Sequence, residues 1–491
     1  MTRVKKRFIF AGIGVVLLVF LGSFVFSYDR LWELEDPLLF ADVARLTPTR
    51  VQEVRTVRSV DDLKTALAEA RTQGLKVSMS GSRHSQGGQT HFQNALVLDM
   101  RGFNKVLALD AAARTIRVES GARWKEIQEH IAPHGLAIKV MQSSYVFTVG
   151  GTLSANAHGR DLDQSSVVEV VRSFRFMTAD GAIHEVSRTS NPELFKLVIG
   201  GYGMFGIILD VELQLTDDEI YEQRSAVIDY REFPDHFEKQ VKGDPDVRMM
   251  LVRPSIASDT FLRELVVTTW RKTDQTRDGI HALTDEKNVW RDKLVFSMSR
   301  RYAWERDLRW ALQKKVESGL GEIRLVSRNN AMRPPLAPLE FLDYYSKTDT
   351  DIIQEYYVPV GNFVPFMDRF RDVLVKSEMN VISFTIRYVK ANDETHLAYA
   401  PKEDCFAIIQ MSNVGLSAPE QAKTETATRE LVDAALEYGG TYYLTYQLYP
   451  TPAQLQRAYP NAPLVFGKKR EYDPGEMFMS KFYDKYGRDG R

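Results

Sequence analysis

Two glycine-rich loops limit what this chain can fold into more than any other feature. The first, KVSMSGSRHSQGG at residues 76–88, begins with a short apolar strand and then becomes crowded with Gly, Ser, Arg and one histidine. Such a loop can wrap a pyrophosphate with main-chain N–H groups, while an arginine and a hydroxyl add hydrogen bonds. The second, TVGGTLSANAHG, covers residues 148–159. Together the loops predict a dinucleotide site that is gripped from two sides.

Length and charge indicate a multidomain globular protein that acts on a small molecule. The 491 residues suit roughly two or three domains, each able to bury its own core. The 64 basic and 65 acidic residues nearly balance, so nothing in the bulk charge points to nucleic acid. Cys405 is the single cysteine, which excludes an internal disulfide and a cysteine-rich metal site. We predict that Cys405 is buried and that no metal is bound.

The amino terminus carries an apolar run that is long enough to span a membrane. Phe8–Ser27 contains no charged residue and follows Arg3, Lys5, Lys6 and Arg7. A run of about 20 apolar residues can cross a bilayer, and the sequence after it offers a poor cleavage site. We therefore predict an uncleaved single-pass anchor within residues 1–35, with the amino terminus in the cytoplasm and the body extracytoplasmic. An extracytoplasmic body would have to meet its dinucleotide across the membrane or be exported already folded.

Alternating strands and helices from Arg50 to Thr216 predict an α+β cofactor domain. Ser59 starts a capping-box helix that Gly74 ends. The Asp180-Gly181 pair predicts a hairpin turn. Residues 217–450 lack glycine-rich loops and contain strands such as RELVVTTW and CFAIIQM, which indicate a second domain. Inside it, residues 274–333 are basic and aromatic with helical spacing. This stretch is either a membrane-surface helix or a solvated helix packed on the domain.

The glycines of GGYGMFGIILDV match a nucleotide-binding pattern in the wrong setting. Gly201, Gly203 and Gly206 fit G-x-G-x-x-G, which must follow a strand and open a helix. Here a helix-like NPELFKLVIG precedes the glycines and an alternating IILDVELQL follows them, so they lead into a strand. A Rossmann fold is therefore rejected.

In this order, SGSRHSQGG, TVGGTLSANAHG and GGYGMFGII resemble the FAD-binding domain of the vanillyl-alcohol oxidase family, nearest to its sugar-1,4-lactone oxidase and alditol oxidase branch. The resemblance covers about residues 51–216 and continues loosely through EYYVPV, IRYVKAND and the carboxy-terminal tail. It implies an α+β fold: a PCMH-type FAD-binding domain (residues 50–216) of two α+β subdomains, and a cap domain (residues 217–450) with an antiparallel sheet. A segment at residues 451–491 would return to the FAD domain.

The resemblance also implies FAD as the cofactor and assigns its contacts. It places the pyrophosphate against the first loop, the second loop on the other side, and a main-chain contact near the adenine at Ile207. His84 falls where many relatives join the flavin covalently, although a free histidine that hydrogen-bonds the cofactor is the alternative. His158 is either a cofactor contact or a structural residue of its loop. The implied contacts are Ser80, Gly81, Ser82, Arg83, His84, Ser85, Ser143, Thr148, Gly151, Ala155, Asn156, His158, Gly159 and Ile207.

The cap departs from the pattern of the relatives that oxidise sugars. Those relatives carry Glu-x-Arg in a cap strand, whereas this chain reads Thr385-Ile386-Arg387 and keeps only the arginine. Near the end, Tyr446 stands where a lysine is expected. Glu355 could replace the carboxylate. The catalytic candidates are Arg387, Lys390, Glu355 and Tyr446, with Tyr443 and Gln447 as further cap residues.

These features predict a membrane-anchored FAD-dependent oxidase or dehydrogenase that oxidises a CH–OH group of a sugar-like, lactone or other alcohol substrate. Electrons would pass to oxygen or a membrane quinone. The absent Glu-x-Arg carboxylate leaves open a C=C reductase of a lipid or sterol-like substrate. A non-catalytic, membrane-tethered flavoprotein is the third interpretation, and the intact Arg83-His84-Ser85 sequence argues against it.

Overall fold

The structure is a computed structural model that describes residues 10–18, 21–22, 36–284, 299–317, 323–333, 346 and 348–488. Residues 10–18 and 21–22 are helical and most of their side chains are exposed. The predicted span Phe8–Ser27 lies partly outside the described residues. Within the described ranges, no helix combines the length and the apolar character that a membrane crossing needs. The anchor therefore stays a prediction.

A small parallel sheet and one helix form the first subdomain. The sheet has the order β3-β5-β4, and a short antiparallel pair, β1-β2, precedes it. The strands are β1 (Leu39–Phe40), β2 (Thr49–Arg50), β3 (Glu53–Thr56), β4 (Val77–Ser80) and β5 (Leu96–Asp99), with α1 (Val60–Gln73) between β3 and β4.

The predicted capping box sets the limits of α1. Ser59 accepts a hydrogen bond from the Asp62 N–H, and the Asp62 carboxylate accepts one from the Ser59 N–H. Gly74 ends the helix at φ 67°, a left-handed conformation that glycine adopts without strain. Leu63 and Leu67 are buried on the face toward the sheet. The helix therefore delivers the chain directly into β4 and the first loop.

An antiparallel sheet forms the second subdomain. Its order is β10-β9-β11-β7-β6, and β8 pairs with the far end of β11. The predicted hairpin turn at Asp180-Gly181 joins β9 and β10, which confirms it. The elements are β6 (Val106–Asp110), β7 (Thr115–Glu119), α2 (Trp124–Ile131), β8 (Leu136–Ile138), α3 (Val149–Ala155), β9 (Val171–Met177), β10 (Ile183–Ser187), α4 (Pro192–Val198) and β11 (Ile207–Asp217).

An eight-stranded antiparallel sheet carries the cap, in the order β15-β12-β14-β13-β17-β18-β16-β19. Its strands are β12 (Ile220–Asp229), β13 (Val247–Pro254), β14 (Glu264–Lys272), β15 (Arg324–Ser327), β16 (Asp349–Pro359), β17 (Val381–Val389), β18 (Cys405–Gly415) and β19 (Thr441–Tyr442). Its helices are α5 (Phe233–His236), which continues as a π-helix over Phe237–Lys242, α6 (Ala303–Glu317), α7 (Arg328–Ala331), α8 (Phe363–Ser377) and α9 (Ala418–Glu437). Cys405 is buried, as predicted, and burial raises the pKa of its thiol to about 12.

Helices α8 and α9 cover one face of the cap sheet. Phe370 of α8 packs against Tyr356 of β16, with ring centroids 5.4 Å apart. Because side chains alternate along a strand, Glu355 next to Tyr356 lies on the other face. That second face is the one turned toward the cofactor domain.

The chain then returns to the first subdomain through α10 (Pro452–Ala458), α11 (Ala462–Tyr472) and α12 (Lys481–Tyr486). The Val77 N–H donates to the Met477 carbonyl, and the Met479 N–H donates to the Val77 carbonyl. A buried ion pair between Lys469 and Asp473 holds the turn between α11 and these contacts. The tail therefore fixes β4, the strand that leads into the first loop.

Candidate active site

A cavity of about 1060 Å³ lies between the two glycine-rich loops and the open face of the cap sheet. All six residues from Ser80 to Ser85 line it, as do parts of residues 142–160 and 202–208. From the cap, strands β13, β16, β17 and β18 and helix α6 contribute side chains. The two loops that the sequence singled out therefore share one cavity with the cap residues.

The first loop presents main-chain donors that the protein leaves unused. Within the described part of the chain, the N–H groups of Gly81, Ser82, His84 and Ser85 donate to no protein acceptor. Arg83, between them, has φ 59°, a conformation that costs energy for a residue other than glycine. The loop is held in this shape from outside, because the Val43 N–H donates to the Arg83 carbonyl at 3.1 Å. A row of free N–H groups in a fixed loop is a binding site for an anion.

His84 is buried where the two loops meet. Its ring centroid lies 4.3 Å from that of Phe147, and its Nδ1 has no hydrogen-bond partner among the described residues. Burial lowers the pKa of His84 to about 4, although a hydrogen bond to the Ser82 carbonyl opposes this shift. The imidazole is therefore neutral at physiological pH and keeps a lone pair available.

The second loop contacts the first through small residues. A Cβ on Gly81 would overlap the Thr148 side chain, so the absence of a side chain lets the loops approach each other. Ser143, Thr148, Gly151, Ala155 and His158 line the cavity, as the resemblance implied.

Asn156 and Gly159 do not line the cavity, and their roles as cofactor contacts stay predictions. Asn156 ends α3 at φ 48° and accepts the Val168 N–H on its side chain at 3.3 Å, so it shapes the loop. A Cβ on Gly159 would lie 2.5 Å from the Met141 carbonyl oxygen, so this glycine allows two chain segments to pass closely. Both residues support the loop from behind.

The rejected Rossmann motif lies at the cavity all the same. Gly203 and Gly206 line it at φ 73° and 152°, and the chain continues into strand β11, as predicted. Ile207, the first residue of that strand, also lines the cavity. The glycines serve close approach of the backbone to the site, without a helix behind them.

A buried histidine–carboxylate pair joins His158 of the second loop to Glu355 of the cap. His158 Nε2 lies 2.5 Å from Glu355 Oε1, and the Tyr446 hydroxyl donates to Glu355 Oε2 at 3.3 Å. The rings of Tyr357, Tyr399 and Tyr443 surround the imidazole, at centroid distances of 5.6–6.2 Å. His158 Nδ1 has no partner among the described residues. The pair is therefore held in one orientation by an aromatic wall.

Charge balance keeps Glu355 ionised. Burial alone would raise its pKa, but the charge and hydrogen bond of His158, together with the charge of Arg387, bring the pKa below its usual value. Arg387 donates to the Ser143 hydroxyl at 2.7 Å and to the His158 carbonyl at 3.5 Å. Burial and the charge of Glu355 raise the pKa of Tyr446 well above its usual value, so this phenol keeps its proton. The site combines one carboxylate, one arginine and a neutral phenol.

Glu355 occupies the row of the sheet that contains Thr385. In the strand register both residues are paired with Ile409 of β18, Glu355 from β16 and Thr385 from β17. They line the same face, two strand spacings or roughly 10 Å apart. The cavity thus holds one carboxylate, which comes from β16, two strands away from the Glu-x-Arg position.

Two cap candidates lie elsewhere. Lys390 is exposed just beyond the end of β17 and does not line the cavity, because the inward residues of that strand are Ser383, Thr385 and Arg387. Gln447 is buried outside the lining, whereas Tyr443 and Tyr446 belong to it. Lys390 thus lies outside the lining, its catalytic role stays a prediction, and Arg387 is the arginine that lies beside Glu355.

The cavity suits FAD on the evidence of its own side chains. Five arginines and a single acidic residue, Glu355, line it within the described chain, which favours an anion such as a diphosphate. Buried polar atoms that have no partner among the described residues also line it: His84 Nδ1, Ser85 Oγ, Ser120 Oγ, Ser144 Oγ, His158 Nδ1 and Arg387 Nε. Buried polar groups normally have partners, so this concentration indicates a polar ligand. No trio of His, Cys, Asp or Glu in the described ranges is placed to hold a metal.

Sequence reasoning missed several lining residues. Ser120 lies just after β7, and Phe478, Met479 and Ser480 come from the returning tail. The sequence offered one signal for Ser120, the glycine that follows it. In the structure a Cβ at Gly121 would overlap the Met100 carbonyl. The tail residues reach the cavity only through their long-range pairing with β4.

Comparison with known proteins agrees with this geometry. Residues 51–187 match the family described as FAD binding domain. An uncharacterized oxidoreductase from the fasciation locus of Rhodococcoides fascians is 31% identical over 194 residues, 38% of this chain and 43% of that protein. Decaprenylphosphoryl-beta-D-ribose oxidase of Mycolicibacterium smegmatis is 28% identical over 178 residues, 36% of this chain and 38% of that protein. L-gulonolactone oxidase of Bos taurus is 27% identical over 203 residues, 41% of this chain and 44% of that protein.

The matched stretches therefore span less than half of each relative. The family match at residues 51–187 falls on the side of the fold where the two glycine-rich loops share the cavity. Residues 51–187 thus form an FAD-binding domain of the PCMH type, related to that of the sugar-1,4-lactone oxidases, and its cofactor is FAD.

Proposed function

We propose that this protein is an FAD-dependent oxidase or dehydrogenase that oxidises a CH–OH group of a sugar-like, lactone or other alcohol substrate. The observation that carries the proposal is the Glu355–His158 pair, which shares one cavity with the FAD-binding loops. The relatives support it, since one is named for L-gulonolactone and another for a phosphoryl-linked ribose. Both named substrates contain a sugar-derived group with hydroxyls.

In this proposal Glu355 is the base. Its carboxylate is ionised at neutral pH, since its pKa is lowered, and it accepts the proton of the substrate hydroxyl. FAD, when bound, supplies the acceptor for the two electrons and the hydrogen that leave the carbon. His158 orients the carboxylate through its 2.5 Å contact, and Arg387 provides positive charge beside the reacting group. Tyr446 keeps its proton and donates to the same carboxylate.

We also propose that His84 attaches the flavin covalently. The neutral imidazole and its unpartnered Nδ1 support this role, because a nucleophilic nitrogen needs its lone pair. The other candidate contacts, from Ser80 to Ser85 and from Ser143 to His158, would hold the cofactor's phosphates and rings. A covalent bond withdraws electron density from the flavin and favours oxidation of poor hydride donors.

We propose further that Phe8–Ser27 anchors the protein in a membrane, with the amino terminus in the cytoplasm and the body on the extracytoplasmic side. The uncharged run and the basic residues before it support this topology. A membrane quinone is then as accessible an electron acceptor as oxygen. Trypsin digestion of inside-out and right-side-out vesicles tests the topology. Cleavage of the body in inside-out vesicles alone would contradict it.

The alternative of a C=C reductase is less well supported. It rested on the missing carboxylate and on a lipid-facing helix within residues 274–333, and Glu355 brings a carboxylate to the cavity from β16. A non-catalytic flavoprotein would have no need of an ionised buried carboxylate beside an arginine.

Anaerobic reduction tests the proposed function. The purified full chain, loaded with FAD, is mixed without oxygen with L-gulono-1,4-lactone, other sugar lactones and simple alcohols, or with NADPH. We expect at least one hydroxyl donor to bleach the flavin absorbance and NADPH to leave it unchanged. Bleaching by NADPH alone would support the reductase instead. A flavin that no donor reduces would indicate the non-catalytic alternative.

A further inference from the structure

Helix α6 forms one side of the cavity and is also exposed to solvent. Leu312, Gln313 and Val316 line the cavity. Leu312 is nevertheless 44% exposed and Val316 78% exposed. Side chains that both line a cavity and remain exposed stand at its mouth. The cavity therefore opens beside the carboxy-terminal half of α6.

An apolar stripe runs along the same helix. Trp304, Leu308, Leu312 and Val316 are spaced four residues apart, so they share one face of α6. Trp304 is 57% exposed and Leu308 is 42% exposed. A helix of a soluble surface normally presents polar side chains outward, so four large apolar side chains on the outer face are unusual. We call these four residues the apolar stripe.

Side chains outside the apolar stripe fix α6 in this orientation. Trp310 Nε1 donates to Glu264 Oε1 at 2.9 Å, and Lys314 donates to the same carboxylate at 2.7 Å. Arg309 donates to the Ile382 carbonyl at 2.7 Å. These contacts join α6 to strands β14 and β17. The outward position of the apolar stripe follows from this docking.

Apolar side chains line part of the cavity between Glu355 and its mouth. One row of the sheet holds Glu355, Ile409 and Thr385. The next row whose side chains face the cavity holds Ile353, Met411 and Ser383. From Arg387 to Ser383 the strand advances roughly 13 Å, which is the length available to a chain beside it. Leu312 and Val316 of α6 complete this part of the lining, and Arg309 and Gln313 of the same helix add polar groups to it.

We propose that the apolar stripe lies on a lipid surface and that the cavity takes an amphiphilic alcohol from it. The hydroxyl-bearing head reaches Glu355, and the hydrocarbon chain extends past Met411 and Ile353 to the mouth at Leu312 and Val316. The substrate class depends on the proposed function, since a head group is placed at Glu355 because oxidation is proposed there. The docking of the apolar stripe does not depend on it.

Charge and continuity favour lipid over a second protein. The stretch 299–317 carries six basic and three acidic residues, and Arg301 and Lys315 are exposed near the apolar stripe, which suits an anionic bilayer. The stripe continues directly into the cavity lining at Leu312 and Val316. A protein docked there would cover the mouth, whereas a bilayer can deliver a substrate through it.

Quenching by brominated lipid tests the docking. The full chain is placed in vesicles of phosphatidylcholine and phosphatidylglycerol, with and without bromine on the acyl chains. The difference in fluorescence between the wild type and Trp304→Phe isolates Trp304. We expect bromine to quench this difference. The corresponding difference for Trp270→Phe, a buried tryptophan of β14, should stay unquenched. An unquenched Trp304 overturns the docking on lipid. If the mass of the protein particle in solution also rises with protein concentration, the occupant is a second copy of the chain.

A chain-length series tests the cavity. Binding of 1-hexanol, 1-octanol and 1-decanol to the FAD-loaded protein is followed by the change in the flavin spectrum, in one detergent throughout. We expect affinity to rise by about fourfold for each methylene that is buried. Leu312→Gln combined with Val316→Gln should flatten this dependence, whereas Val375→Gln, on an exposed part of α8, should preserve it. An equal slope in the double variant and the control overturns the inference.

These readouts separate the inference from the proposed function. Neither quenching nor alkanol binding requires turnover. If no alcohol or lactone reduces the flavin while both readouts behave as expected, the proposed function fails and the amphiphile site remains. If lactones reduce the flavin but alkanols bind without any dependence on chain length, the proposed function remains and the amphiphile site fails.

Discussion

Replacing Glu355 with glutamine tests the chemistry of the site most sharply. The amide keeps the volume of the side chain and can still face His158 Nε2 and the Tyr446 hydroxyl, which lie 2.5 Å and 3.3 Å from the carboxylate oxygens. Only the charge and the ability to accept a proton are lost. Glu355 belongs to strand β16 of the cap, and the amide can keep the contact with His158, so FAD content should match that of the wild type.

The expected loss follows from the role of a general base. Such a base contributes about 10²- to 10⁴-fold to a rate, or about 3–5 kcal/mol of transition-state stabilisation. The structure places the effect in this range because Glu355 is the only acidic residue among the described residues that line the cavity, so no neighbour there can replace it. We expect kcat/KM of Glu355→Gln to fall by about this factor for the best hydroxyl donor.

Anaerobic stopped-flow reduction of the flavin measures the step directly. Glu222→Gln is the matched control, because Glu222 is a buried carboxylate of the same sheet, paired with Arg224 and outside the cavity lining. It should reduce its flavin at close to the wild-type rate. The pKa of Glu355 lies below its usual value of 4.5, so the wild-type rate should stay flat from pH 8 down to about pH 5. A Glu355→Gln rate within threefold of the wild type would refute the assignment.

Three further predictions concern the loops and their support. Gly81→Val should abolish FAD binding, because its side chain would overlap Thr148, whereas Gly467→Ala, which has open space around it, should bind FAD normally. His84→Ala should move the yellow colour from the acid-precipitated pellet to the supernatant, and a pellet that stays yellow contradicts covalent attachment through His84. Burial, with smaller effects from Lys481 and Arg83, lowers the pKa of His91 to about 4. A histidine with a depressed pKa stabilises the fold above pH 6.5 and loses that contribution as the pH falls toward 4. From pH 7.5 to pH 5, urea unfolding should show that His91→Phe loses about 2 kcal/mol less stability than the wild type, and equal losses would contradict this.

Local signals predicted much of the cofactor side. The capping box at Ser59, the Asp180-Gly181 turn and the strand after Gly206 all appear where short-range rules place them. The loop from Ser80 to Ser85 lines the cavity. It could be predicted as a binding loop because its composition suits an anion and the strand before it is clear in the sequence. These features depend on residues close together in the chain.

The cap side depends on distant pairing, which a single sequence does not reveal. Glu355 shares a row with Thr385 only because β16 and β17 both pair with β18. Lys390 was expected at the site because it follows Arg387 closely, but alternation and the end of β17 leave it exposed. Asn156 lies in a loop of the right composition and nevertheless turns its side chain to the Val168 N–H.

Amide hydrogen exchange with and without FAD tests the central claim most directly, namely that FAD lies between the two glycine-rich loops. The main-chain N–H groups of Gly81, Ser82, His84 and Ser85 have no acceptor in the described protein, so they should exchange quickly in flavin-free protein and slowly once FAD is bound. Stoichiometric FAD binding that leaves the exchange of these amides unchanged would contradict the account.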